Sequence, residues 1–300
     1  FGNKLKSTIV YLNVLQLIPY KRLEDLSRDV LGVSISKASI ENIIESSTKK
    51  AGPVYQSILS IVKKSSWVGS DETSKKVGLK KCWDWVWQSE HATFYAVDYS
   101  RGYHAVQTHF GDMYKGVLVH DCYAAQNKTH AQSGHQLCHV HIQRDLKFLI
   151  DVYHSAWAYR VTHFLRKAQK ARGHIWASDF DPDKRQKIIQ HYQDSFNSLL
   201  KMPVNKTCLR LWKRLIKHKE KWLFFMSSSH VPWHNNSSEQ AIRMAKVKQK
   251  ISGCFRSFRG AERHAVLLSV IQTAKKQRIN PLEAIYQLQS HSLSFSAPSS

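Results

Sequence analysis

Three consecutive strand-like runs, SSWVGSDET, KCWDWVWQSE and HATFYAVDYS, occupy residues 65–100, and helical patterns flank them on both sides. Trp, Val, Phe and Tyr dominate these runs, and charged or turn-prone residues separate them, which predicts an antiparallel meander. A short helix over about Tyr103 to Phe110 follows, then Gly111 and Gly116. The continuous apolar run in GVLVHD next reads as a buried strand, and HQLCHV as a further short strand leading into a helix.

The flanks are helical by period. Apolar residues recur at intervals of three and four in STIVYLNVLQLIPYKRLEDLSRDVL and in ASIENIIESSTKK, with Gly32 placed to stop one helix and Ser36 to cap the next. That is helix-turn-helix spacing, and an ordinary helical hairpin has the same pattern. Residues 157–226 are helical and strongly basic, interrupted by SDFDPD and Pro203. PWHNNSSEQAIRMAKVKQKI begins another helix, GAERHAVLLSVIQTAKKQ gives one with an apolar face at Ala265, Leu268 and Ile271, and Pro281 suits the first turn of a last one.

Three antiparallel strands, a helix and a buried strand are the element order of an RNase H-like sheet. The predicted fold class is α/β: an RNase H-like mixed-sheet core with an N-terminal helical, helix-turn-helix-like unit and an all-α insertion. The expected divisions are a helical DNA-binding unit over 1–64, the first part of the core over 65–156, the insertion over 157–226, the second part of the core with C-terminal helices over 227–290, and a flexible tail over 291–300.

The formal net charge of the 300 residues is +23, with Lys and Arg in every segment, so the surface carries a positive field and nucleic acid is the favoured partner. A basic protein without a specific polyanion is the alternative. The five cysteines are scattered, with no C-x-x-C pair, and fit a reducing compartment. No apolar run approaches membrane-spanning length. The chain opens on Phe1 without a signal-peptide pattern, and a fragment lacking its upstream part is expected.

Three acids stand out: Asp71 in WVGSDET, Asp121 in GVLVHDCYAA and Glu239 in HNNSSEQAIR. Carboxylates that close buried strands are costly unless a cation compensates them, and two divalent ions roughly 3.5–4 Å apart do so in phosphoryl transfer. Asp71, on the strand expected to be central, is assigned as the bridging ligand, with Asp121 beside it and Glu239 completing the set. The expected cofactors are two Mg²⁺ ions, or Mn²⁺. Local readings compete. Glu72 is an alternative acid, although strand alternation sends it to the opposite face. Asp121 could cap the helix through YAAQN, and Glu239 follows Asn236 at capping-box spacing. Asp84 and Asp98 are expected to face solvent.

Cys138 and His141 lie in CHVH, but no second Cys/His pair with structural-zinc spacing follows, so zinc is not expected. Packing at the join of strand and helix is the expected role. Arg144 and Asp145 either pair locally or orient phosphate. Beyond Glu239, Arg243, Lys246, Lys250, Arg256 and Arg259 are placed to neutralise DNA phosphates, with Phe255 and Phe258 between them to pack or to stack on a base.

These motifs resemble the insertion sequence 66 family of DDE transposases. The resemblance runs through IPYKRLEDLSRDVLGVSIS, SDET, SRGYHAV, GVLVHDCYAA, QLCHVHIQRDL, HNNSSEQAIR and SGCFRSFRGAERHAVLLSVIQTAKKQRINPLEAI. It implies an RNase H-like core whose acidic triad falls on Asp71, Asp121 and Glu239, and a structural C-x-x-H element at Cys138 and His141. Where the family often has Gly and Trp soon after D-E-T, this chain has Ser74 and Lys75. The implied activity is metal-dependent cleavage of transposon ends and strand transfer into target DNA. A nuclease or resolvase that cuts without joining, and an inactive DNA-binding descendant, are the alternatives. Expected partners are DNA, as element ends and target, a second copy of the chain, and accessory proteins, with no membrane. The expected setting is the bacterial cytoplasm, at the nucleoid.

Overall fold

The computed structural model describes residues 1–297. The last three residues of the expected tail lie outside them. The chain is mixed α/β, with both antiparallel and parallel strand pairs and twelve α-helices among the described residues. It divides into two compact units, Phe1–Gly116 with Asn236–Ser300, and Val117–Asn235.

The first unit opens with helices α1 (Asn3–Val14), α2 (Tyr20–Asp29) and α3 (Lys37–Lys64). Gly32 has a positive φ of 63° ahead of α3, and Ser36 caps α3 by accepting from the Ser39 amide at 3.1 Å, as its sequence position predicts. Strands β1 (Trp67–Val77), β2 (Lys80–Gln88) and β3 (Thr93–Asp98) then form the expected antiparallel meander. β1 runs straight through the lysine-rich segment, and Gly78, at φ 56°, opens a two-residue turn that pairs Val77 with Lys80. Helix α4 (Tyr103–His109) and the short strand β4 (Met113–Tyr114) follow.

One face of this meander is aromatic. Trp87 stacks on Phe110 at 5.3 Å and on Trp85 at 5.7 Å, and Tyr55 from α3 stacks on Phe94 at 4.5 Å. The unit is completed from the far end of the chain by α10 (Asn236–Ser252), α11 (Phe258–Lys276) and α12 (Pro281–Gln289). Ala265, Leu268 and Ile271 of α11 are buried, as expected, where the helix packs against α3 and β3. Asn280 caps α12, with Pro281 in its first turn. Beyond α12, Leu293 is buried and Ser296 exchanges hydrogen bonds with Gln277.

Helix α11 also supplies hydrogen bonds that β3 cannot obtain from a strand. The Thr273 hydroxyl accepts from the Thr93 amide at 3.1 Å and donates to the Thr93 carbonyl at 3.3 Å, and the Ser269 hydroxyl accepts from the Tyr95 amide at 2.9 Å. The free side of β3 is thereby closed by side-chain hydroxyls.

The second unit pairs β5 (Val117–His120) in parallel with β7 (His135–Leu137). Helix α5 (Ala124–Lys128) and strand β6 (His130–Ala131) lie between them in the chain. The helices α6 (His139–Tyr153), α7 (Ala156–Ile175), α8 (Pro182–Leu200) and α9 (Leu209–Lys217) follow, with one 3₁₀ turn after α8 and two after α9. Asp181 caps α8, so the SDFDPD interruption is a helix start. The core of this unit gathers Leu146, Trp157, Leu165, Phe196, Leu215, Trp222 and Phe225. No helix of the described residues is long and apolar enough to cross a membrane.

Replacing Thr273 with Val keeps the side-chain shape and orphans both groups of Thr93. The expected loss is about 1–3 kcal/mol, read as a lowered urea midpoint with an unchanged denaturant slope.

Candidate active-site carboxylates

The register of the meander sorts its side chains. Asp71 lies opposite Val86, Thr73 opposite Asp84 and Gly69 opposite Gln88, so Asp71, Thr73, Lys75, Asp84, Val86 and Gln88 share one face. The other face takes Glu72 and the tryptophans of β2, Trp83, Trp85 and Trp87. Helix α10 packs against β1 and β2, and its contacts identify the Asp71 face as the one it covers. Gln88 donates to the hydroxyls of Ser237 and Ser238, and the Tyr95 hydroxyl donates to the Ala241 carbonyl at 3.0 Å. Glu239 follows Ser238 in the first turn of α10, so Asp71 and Glu239 are carried by elements packed on the same side of one sheet. Both are half-buried.

A buried clamp secures that first turn. The Lys276 ammonium of α11 donates to Gln88 Oε1 at 2.6 Å and to the Ser89 carbonyl, while the Gln88 amide holds the two serines. Burial pushes the Lys276 ammonium down to about 8. Sequence reasoning missed both Gln88 and Lys276, because their partners lie 149 and 188 residues away and no local pattern marks them.

Asp84 does not face solvent. It is 5% exposed, and its carboxylate pairs with the equally buried Lys75 at 2.5 Å. Desolvation raises the Asp84 pKa in spite of the lysine. Asp98 is half-buried and meets His109 Nε2 at 3.0 Å. Glu72 points away from Asp71, as alternation requires. Its side chain is buried and meets Arg101 at 2.9 Å, whose guanidinium lies 4.7 Å over the Trp83 ring.

Asp121 is the residue after β5. Its Oδ1 accepts from the Tyr123 amide at 3.0 Å, shaping the turn before α5, whose own N-cap position is Tyr123. Behind it, His120 Nδ1 bonds the Asp121 carbonyl, and His120 Nε2 meets His135 Nδ1 at 3.0 Å. Burial holds His120 well below its ordinary value and brings His135 to about 4, so both imidazoles are neutral near pH 7. Lys221, also depressed by burial, donates to Asn127 at 2.9 Å.

Cys138 is the N-cap residue of α6, and His141 sits in the first turn, with a ring nitrogen within 4.8 Å of the thiol sulfur. The Cys138 sulfur accepts from the Asn235 amide at 3.2 Å. Between them, His139 is fully enclosed. Its Nε2–H donates to the Trp222 carbonyl at 2.6 Å and its Nδ1 accepts from Gln169 at 3.0 Å, tying α6 to α7 and to the segment after α9. Arg144 is exposed, while Asp145 pairs with Arg214, so this acid has a partner more distant in the chain than the adjacent arginine.

Among the expected phosphate-binding cations, Arg243, Lys246 and Lys250 are exposed on α10, and Arg256 is exposed in the loop before α11. Arg259 is exposed too, but it bonds Glu45, which also holds Arg263. The loop is pinned to the end of β1 through the Gly78 amide and Phe255 carbonyl at 2.7 Å. Phe255 packs under the Lys75 ammonium at 4.7 Å and Phe258 stacks on Tyr99 at 4.5 Å, so both rings serve internal contacts. Lys248, which the sequence does not distinguish from its neighbours, is buried, and desolvation lowers it to about 8.

Two half-buried carboxylates, Asp71 on a strand and Glu239 on the helix that covers it, thus stand in a mixed α/β chain of net charge +23. A family model described as Transposase IS66 family matches residues 1–263, and the chain belongs to that family. No curated protein matches it.

His139 carries a pH dependence. Burial brings it to about 4, against about 6.5 in an unfolded chain. As pH falls from 6.5 towards 4 the unfolded chain takes up the proton first, so this group removes stability, on the order of 3 kcal/mol, and adds no further loss below pH 4. In His139→Gln, urea unfolding from pH 8 to 4 should lose that part of the slope. A difference between wild type and variant that is constant with pH would refute the assignment.

Proposed function

We propose that the chain is a DDE transposase in which Asp71, Asp121 and Glu239 form one acidic site acting on DNA phosphodiesters. The observation that carries this reading is the family match over residues 1–263, a span that includes all three acids. The placement of Asp71 and Glu239 on facing elements supports it, as does the set of oxygen donors, which suits hard divalent cations. Mg²⁺ or Mn²⁺ ions, two in number, would supply activation of the attacking oxygen and charge neutralisation at phosphorus when bound.

The side chains have distinct tasks in this scheme. Asp71 is the central ligand, held on a paired strand. Asp121 contributes from the end of β5, oriented by its bond from the Tyr123 amide. Glu239 is oriented through the Gln88, Ser237, Ser238 and Lys276 clamp, which fixes the first turn of α10 before substrate arrives. Arg243, Lys246, Lys250 and Arg256 hold DNA phosphates. Water first attacks the phosphodiester at the element's end, and the freed 3′-hydroxyl then attacks target DNA. Both steps are in-line displacements at phosphorus, so one site serves both and no covalent protein intermediate is needed. Joining two ends calls for at least two copies of the chain, and accessory proteins are compatible with the scheme.

The test is Mg²⁺- or Mn²⁺-dependent cleavage and joining of labelled DNA bearing the ends that flank the native gene. Joined products are expected from the wild type, with Asp71→Asn, Asp121→Asn and Glu239→Gln each lowering the rate by more than about 100-fold while binding is kept. Cleavage without joining would replace the reading with a nuclease, and binding without cleavage with a DNA-binding descendant.

A further inference from the structure

Helix α7 of the second unit contains no Asp or Glu. Its buried side packs Trp157, Val161, Phe164, Leu165 and Ala168 into the core, which leaves Arg160, His163, Lys167, Lys170 and His174 exposed at steps of three and four, with Arg166 exposed beside them. This spacing draws one stripe along the helix. From Arg160 to His174 it is about 21 Å long at 1.5 Å per residue.

The cations of the stripe are not taken up by the protein. Among the described residues none of the six enters an ion pair, and the contact of Arg160 is with the Met202 sulfur at 3.7 Å. The nearest helix in sequence, α6, carries two exposed acids that already have partners outside α7, Asp145 with Arg214 of α9 and Asp151 with Lys147 of α6 itself. Arg172, on the same helix but turned inward, is used structurally. It donates to the carbonyls of Phe225, Ser228, Ser229 and Val231 and so fixes the helix to the segment after α9. The stripe is thus a straight array of free positive charge on a rigid support, at full strength near neutral pH for its Arg and Lys members.

We infer that the exposed face of α7 is a docking surface for the phosphate backbone of duplex DNA, separate from the cations that follow Glu239. The inference rests on the transposase reading for its partner and on the stripe for its place. Duplex DNA carries one negative charge per about 1.7 Å of axis, so a stripe of this length meets several phosphates. The face offers positive charge without a patterned set of base-reading amides, and it holds DNA without regard to sequence.

The experiment titrates the full chain against a labelled duplex of random sequence over a range of salt. Three variants are compared with wild type: Lys167→Gln/Lys170→Gln, the quadruple Arg160→Gln/Arg166→Gln/Lys167→Gln/Lys170→Gln, and a control Lys184→Gln/Lys187→Gln on α8. All the altered cations are exposed, and circular dichroism melting checks that each variant is folded. The slope of log affinity against log salt should fall by about 0.9 for each phosphate contact removed, up to about 3.6 in the quadruple variant. The α8 control should keep the wild-type slope. An unchanged slope and affinity in the quadruple variant, with wild type binding, would overturn the inference and leave the transposase reading standing. An equal loss in the α8 control would also overturn it, by assigning the effect to overall charge. Wild-type chain that fails to bind duplex DNA would remove the shared partner of both readings, whereas α7-dependent binding without strand transfer would keep this surface and refute only the transposase chemistry.

Discussion

Strand β3 has a strand neighbour on one side only, and the way its other side is closed organises the first unit. Helix α11 meets it with Ser269 and Thr273, whose hydroxyls stand in for the backbone of a further strand. A hydroxyl both donates and accepts, so a single Thr can answer the amide and the carbonyl of Thr93 together. This fixes the axial position of α11 against the sheet. One turn past Thr273 the same helix delivers Lys276 to Gln88, and Gln88 delivers its amide to the first turn of α10. Through those bonds, backbone satisfaction at the edge of the sheet and the position of Glu239 become parts of one hydrogen-bonded arrangement.

The same face shows how a strongly basic chain admits charge to its interior. Lys75 and Asp84 are buried together on the Asp71 face, and on the opposite one the buried Glu72 side chain meets the exposed Arg101. A fully buried pair such as Lys75 and Asp84 gains little net stability over an apolar filling, but removing one member leaves an uncompensated buried charge, so that pair is retained as a unit. Alternation along β1 thus places Asp71 and Lys75 on one side and Glu72 on the other, with a counter-charge identified for each of the latter two. Helix α10 covers the Asp71 face of this strand.

The sequence made the elements legible where the signal is local. The meander, the cap at Ser36, Pro281 in the first turn of α12, and the apolar face of α11 all follow from spacing and residue type over a few positions. Asp84 was misread for a definite reason. Trp83, Trp85 and Trp87 alternate with it, so their side looks like the one buried face and the other like solvent. Only the packing of α10, from more than 140 positions further along the chain, makes the second face interior. Gln88, Lys276 and Lys248 escaped for the same reason, since each is an ordinary polar residue until a distant segment covers it. Sequence alone leaves Phe255 and Phe258 open to packing or to a base, and their contacts with Lys75 and Tyr99 select packing.

Charge is distributed differently in the second unit. Its interior histidines, His120, His135 and His139, are all pushed below their ordinary range by burial and are neutral near pH 7. They act as directional donors and acceptors, holding the turn at Asp121, the β7 segment and the start of α6. Positive charge in this unit is therefore left to the lysines and arginines outside, above all to those of α7. A core that relied on imidazolium ions would lose them as pH rose through their titration, and its surface field would change with them. Here the field does not depend on that equilibrium, because neutral rings do the internal bonding while Lys and Arg, which stay protonated across the physiological range, face the solvent.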